Sequence, residues 1–223
     1  MATHYDEKVE EEIPGMVYVF ALTDEEEDEE MTAVISDVKE FELPDNFIRG
    51  EKSGGGVCAY SLLNALKQKG GGGKKKKKKK SSSMITWADV LEHMKEEIND
   101  ERGLQTYTPT LSTSRPIEVR DEPVRITAAS GKGANRALLI GLHYEEEEED
   151  NEDVRLMSCH DDIRKMREFL INEHGFEKQN ILALMDGKGR YHEPTKRLIL
   201  DSLRRLCEIS EPGDSIFVHF SGE

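Results

Sequence analysis

From residue 136 to residue 220 the chain alternates short apolar segments with amphipathic ones, and this alternation restricts the fold more than any other feature. RALLIGL (136–142), ILALM (181–185) and SIFVHF (215–220) are near-continuous apolar runs of strand length. Between them lie two helical patterns. Residues 160–173 place Ile163, Met166, Phe169 and Leu170 on one face, and residues 195–209 do the same with Ile199, Leu203 and Leu206. Strands that are apolar throughout are buried on both faces, as in parallel sheets. Strand–helix–strand units of this length close with right-handed crossovers. The expected fold class is therefore α/β, a parallel or mixed sheet with helices on both faces.

The first half is less regular. Residues 1–15 read as an acidic arm, and VYVFAL (17–22) reads as a buried strand. An acidic run, DEEEDEE (24–30), reads as a solvated loop. Cys58, Ala59, Leu62, Leu63, Ala65 and Leu66 recur at helical spacing within 54–69. Residues 70–83, GGGGKKKKKKKSSS, form a low-complexity linker. The clearest helix is 86–101. Thr86 can cap it with Asp89 three residues on, and Trp87, Val90, Leu91, Met94 and Ile98 make one stripe. Residues 104–119 are extended and punctuated by proline, and SGKGAN (130–135) leads into the strand at 136. The expected division is an arm at 1–15, a region 16–128 containing the linker, and a region 129–223.

Charge and composition narrow the function. The 223 residues carry a formal net charge of −15, which opposes non-specific binding to nucleic acid. The seven lysines of the linker are the one feature on the other side. They fit no phosphate-binding loop, because G-x-x-x-x-G-K-[ST] cannot be written through them. The first residues are polar and acidic, unlike a secretory signal, and no apolar run reaches the length of a membrane span. Three cysteines, Cys58, Cys159 and Cys207, are odd in number and widely spaced. The expectation is a reducing, intracellular, cytoplasmic setting with no membrane partner.

Single residues have ordinary readings. Cys58 and Cys207 fall on apolar helix faces and read as core. His143 and His219 read as structural. Cys159 and His160 together raise the thought of a metal, but no second pair lies at ligand spacing, so no metal ligand is assigned. The glutamates at 145–150 read as a solvated loop. Asp162 suits the first turn of a helix, where a carboxylate meets the positive end of the dipole.

Taken in order, the segments resemble metacaspases, the caspase-like cysteine peptidases. RALLIGLHY (136–144), LMSCHDDIRKMREFL (156–170), GFEKQNILALMD (175–186) and EPGDSIFVHFSG (211–222) resemble successive large-subunit motifs. VYVFALTDEEEDEEMTA (17–33), GGGVCAYSLLNAL (54–66), TWADVLEHMKEEI (86–98), TPTLSTSRPIEV (108–119) and EPVRI (122–126) resemble small-subunit segments. Small before large is the order of the permuted type III class. The resemblance implies a caspase-like sheet in which 181–185, 136–142 and 215–220 are the second, first and third strands.

The resemblance also implies a function and its limits. The family cleaves after Arg or Lys with a Cys–His dyad. Its catalytic His position falls on Glu223, and its catalytic Cys has no counterpart here. Thr23 stands near the place of a second small-subunit cysteine. A carboxylate would raise a thiol's pKa rather than lower it, so Glu223 could not stand in for the imidazole. Cys159, Asp162 and Ser221 fall on substrate-pocket positions, with Asp162 facing the basic side chain and Ser221 hydrogen-bonding it. The family often needs calcium, whose ligands would lie past residue 223. Two expectations follow: an inactive or incomplete Arg/Lys endopeptidase that meets basic peptides, or a dead homologue that binds active metacaspases. A missing fourth strand would leave strand edges bare and favour self-association.

Overall fold

A computed structural model of the chain describes residues 3–5, 16–24, 57–67, 84–100, 107–128, 131–144, 158–187 and 192–222. The acidic run at 25–30, the linker at 70–83, the glutamates at 145–150 and Glu223 lie outside these residues. The chain divides into two units, the second of which takes in everything from Arg125 onward.

In the second unit the central strand is β4 (Asn135–Gly141), with Ala137, Leu138, Leu139 and Ile140 each at most 3% exposed. It pairs in parallel with β5 (Ile181–Met185) on one side and β6 (Ser215–Ser221) on the other, giving the order β5-β4-β6. That is the second–first–third arrangement expected from the resemblance. The two crossovers run in opposite directions across the sheet. Right-handedness then sends their helices to opposite faces. α3 (Cys159–His174) packs where a Cβ on Gly141 would meet Ile163 Cγ1 at 2.7 Å. α4 (Lys196–Ile209) covers the other face, seating Leu198, Ile199, Leu203 and Leu206 on Leu138, Ile140 and Leu184.

Local chemistry sets these boundaries. α3 ends at Gly175, whose φ of 67° is a left-handed conformation that costs glycine little. The N–H of Gly175 reaches Ile171 O, and that of Phe176 reaches Leu170 O, while Phe176 is itself buried. Thr195 caps α4 by accepting the N–H of Leu198 at 3.2 Å. Asp214 ties the start of β6 to the start of β4. It accepts the N–H groups of Glu211 and Ala134 and pairs with Arg136. Those contacts, in that order, hold its carboxyl below the ordinary value.

β6 differs from β4. Its residues alternate, and Ile216, Val218 and Phe220 are 44–49% exposed. α4 spans β4 and β5 and leaves this third strand's face uncovered among the described residues.

In the first unit β3 (Tyr107–Thr113) lies between β1 (Thr3–Tyr5) and β2 (Tyr18–Asp24). It is parallel to β1 and antiparallel to β2. Thr3–Tyr5, read from sequence as part of a free acidic arm, instead forms a strand. Thr and Tyr suit a strand, and the edge of β3 offers them partners. α2 (Trp87–Asp100) seats Trp87 and Leu91 against Leu111, with the Tyr18 ring 5.0 Å from that of Trp87. Its N-terminus is the expected reciprocal cap. Asp89 N–H donates to Thr86 Oγ1 at 3.2 Å, and Thr86 N–H donates to Asp89 Oδ2 at 2.8 Å. α1 (Val57–Lys67) joins α2 through Asn64, whose amide donates to Glu97 at 2.5 Å.

The sequence reading of Cys207 as core is corrected, because the residue is exposed. Leu203 and Leu206 mark the inward face of α4, and the next position turns about 100° away from it. Cys58 is only half-buried.

Candidate functional site

Parallel sheets bind ligands at the carboxyl ends of their strands, where loops and helix N-termini meet. Here that edge comprises Ser221 closing β6, the residues after Gly141, the residue after Met185, and the first turn of α3.

Asp162 is 2% exposed in the first turn of α3. Ser221 Oγ donates to its Oδ2 at 2.9 Å. Cys159 lies one helical turn earlier and is 5% exposed. The three residues assigned to the substrate pocket thus meet at this edge, with Asp162 and Ser221 in direct contact. The simpler reading of Asp162 as a first-turn carboxylate is satisfied by the same position. Main-chain bonding seats the strand end, since Leu142 N–H donates to Ser221 O at 2.9 Å.

A second acid at this edge was not anticipated. Asp186 follows β5 and accepts the N–H of His143 at 2.7 and 2.9 Å and that of Tyr144 at 2.6 Å. Its Oδ1 lies 2.7 Å from Nε2 of His160. Burial alone would raise its pKa. The His143 N–H, the His160 ring and the Tyr144 N–H outweigh that and hold the carboxyl below its ordinary value. These bonds also hold Tyr144 at a φ of 59°, a conformation that a bulky side chain rarely adopts. His143, read as merely structural, stands with its Nδ1 3.4 Å from Nδ1 of His160. The one sequence signal for this cluster is positional, for His143 and Asp186 each follow a strand and His160 opens a helix.

Among the described residues no group of three or more His, Cys, Asp or Glu is placed to hold a metal ion. Calcium, which takes six to eight oxygens, finds no fitted site there. No helix of these residues is long and apolar enough to cross a membrane.

A family model described as "Metacaspase, peptidase C14 domain" matches residues 135–223. Metacaspase III c of Phaeodactylum tricornutum is 31% identical over 196 residues, which is 88% of this chain and 52% of that protein. Metacaspase-1 of Eremothecium gossypii is 34% identical over 145 residues, 60% of this chain and 30% of its own length. Metacaspase-7 of Arabidopsis thaliana is 36% identical over 89 residues, 40% and 21% respectively. The chain therefore spans about half the length of the first relative and less of the others. With the family model running from β4 onward and the first relative aligned across most of the rest, the chain is similar to metacaspases over most of its length, and residues 135–223 match their peptidase C14 domain.

Proposed function

We propose that these residues supply the substrate-recognition part of a cysteine endopeptidase that cleaves after Arg or Lys, and that the 223 residues by themselves do not hydrolyse peptides. The observation that carries the reading is Asp162, a carboxylate 2% exposed and tied to Ser221 at the ligand-binding edge of a parallel sheet. A guanidinium or ammonium group entering beside it gains a charged hydrogen bond in a water-poor setting. The Ser221 hydroxyl orients the acceptor oxygen. Peptide hydrolysis needs a thiolate beside an imidazole that activates it and then protonates the leaving amine. By resemblance the family's imidazole position falls on Glu223, and none of Cys58, Cys159 and Cys207 sits in a segment like the family's thiol motif. The 196-residue alignment with a protein named Metacaspase III c extends well beyond residues 135–223.

The test pairs two measurements on the purified chain. Titration calorimetry with Arg-terminated peptides is expected to show binding that Asp162→Ala weakens by about 1.5–3 kcal/mol. Unchanged affinity would remove Asp162 from the pocket. Reporter peptides ending in Arg or Lys, with and without calcium, are expected to stay intact. Turnover that co-purifies with the chain would overturn the second half of the reading.

A second reading, a regulatory partner of active metacaspases, draws on the bare face of Ile216, Val218 and Phe220. An apolar strand face of this kind favours association with another protein surface or a second copy. Light scattering separates the cases. A monodisperse monomer in the presence of an active metacaspase would dismiss both self-association and the partner role.

A further inference from the structure

A second cluster stands at the ends of β4 and β5, where Asp186 meets the backbone of His143 and the ring of His160. The carboxylate of Asp186 already accepts the N–H groups of His143 and Tyr144, and it presents an acceptor to the His160 ring as well. The contact at 2.7 Å therefore places a proton on Nε2 of His160. In the neutral ring this leaves Nδ1 with a lone pair. That atom faces Nδ1 of His143 at 3.4 Å, with the ring centroids 4.6 Å apart and the planes at 85°.

We propose that His143 and His160 form a two-histidine chelate for a divalent zinc-like metal ion, with Asp186 orienting His160 from behind.

Three features carry this. First, the spacing fits. Metal–nitrogen bonds of about 2.0–2.1 Å at a tetrahedral centre put two donor atoms ~3.3 Å apart. The observed Nδ1–Nδ1 distance of 3.4 Å matches that separation. Second, a ligating imidazole usually donates its other N–H to a carboxylate, which fixes the tautomer and makes the donor more basic. His160 and Asp186 have that arrangement already. Third, the pair is preorganised. Two atoms of one carboxylate hold the backbone of His143, and the same carboxylate holds the ring of His160.

The donor set selects the ion. Two imidazoles favour zinc, copper or nickel over calcium or magnesium, which prefer oxygen. Both histidines are partly exposed, so an ion can reach them. With two protein donors, the remaining positions fall to water or to an incoming ligand. On this edge, such an open position stands beside the strand ends that carry the pocket.

Zinc chloride titrated into the full chain, in a buffer that does not chelate, tests the proposal. Calorimetry reads affinity, and nitrogen NMR of the histidine rings reads which atoms ligate. Saturable binding is expected, with the Nδ1 resonances of both rings moving together. His143→Gln and His160→Gln are each expected to weaken binding about tenfold or more, and Asp186→Asn about 10- to 100-fold. The acidic runs also take up zinc weakly, but equally in every variant. His143→Gln keeps the backbone N–H that Asp186 accepts, and its metal-free melting temperature is read beside the parent's to check that the fold is kept. An identical isotherm for His143→Gln and the parent, or ring resonances unmoved at saturation, would overturn the site.

Discussion

Ser221, the last residue of β6, donates its hydroxyl to Asp162 in the first turn of α3 at 2.9 Å. The bond joins a strand end to a helix start 59 residues away in sequence. Asp162 is almost wholly buried, so removing this donor leaves a desolvated oxygen with one partner fewer. Ser221→Ala is expected to lower stability by about 1–3 kcal/mol. Urea denaturation checks it, and a change under a few tenths would mean that water replaces the hydroxyl freely.

Gly141 of β4 lies directly against α3. An added Cβ would stand 2.7 Å from Ile163 Cγ1 and 3.3 Å from Cys159 O. Ile163 is buried and branched, and the second contact is backbone, so neither yields easily. Gly141→Ala is expected to cost about 1–3 kcal/mol through overpacking. Because Cys159 and Ile163 flank Asp162 on the same helix, peptide affinity should fall with it. Calorimetry and denaturation on one protein sample read both effects.

The N-terminus of α2 offers a cleaner test in the other unit. Thr86 and Asp89 satisfy each other's backbone N–H groups, and both bonds are exposed. Thr86→Ala is expected to cost about 1 kcal/mol. Asp89→Ala should cost a similar amount, and the double variant less than the sum, since each change breaks the same box.

How legible all this was in the sequence depends on how local the cause is. The stripe Trp87, Val90, Leu91, Met94 and Ile98 was readable because a helix repeats its face every 3.6 residues, and all five are buried. β4 was readable because burial on both faces demands an unbroken apolar run. Its neighbours' order followed from the resemblance rather than from pattern. β1 was not readable, since three residues show no period. Asp162 and Ser221 were assigned to one pocket from motif positions, but their direct contact was not foreseen, because it depends on register: Gly141 pairs with Ser221, which brings the end of β6 to the helix that Gly141 touches. The cluster of His143, His160 and Asp186 was invisible for the same reason. Its members come from three elements, and only the pairing of Gly141 with Met185 sets His143 near Asp186.

His219 gives the pH dependence. It pairs with Leu139 across the sheet, and Nε2 is shielded from solvent with no hydrogen-bond partner among the described residues. The residue as a whole is only partly buried, but the ring nitrogen is shut away. Burial disfavours its charged form and lowers its pKa from 6.5 to about 4. The unfolded chain therefore takes up a proton between these values while the folded chain does not. Stability is complete above pH 6.5, falls as the pH drops toward 4, and changes no further from this group below that. The full effect is about 3 kcal/mol. Asp186 and Asp214 act elsewhere. Their folded pKa values lie below the ordinary 3.8, so the stability they contribute is present above 3.8 and lost only at lower pH. His219→Leu removes the titrating group and the unpartnered nitrogen together. The variant is expected to match or exceed the parent's stability at pH 7 and to lose the slope between pH 6.5 and 4. Urea denaturation of both proteins at half-unit pH intervals reads the difference directly. Parallel curves through that window would show that His219 is charged in the folded protein, and that its ring reaches water after all.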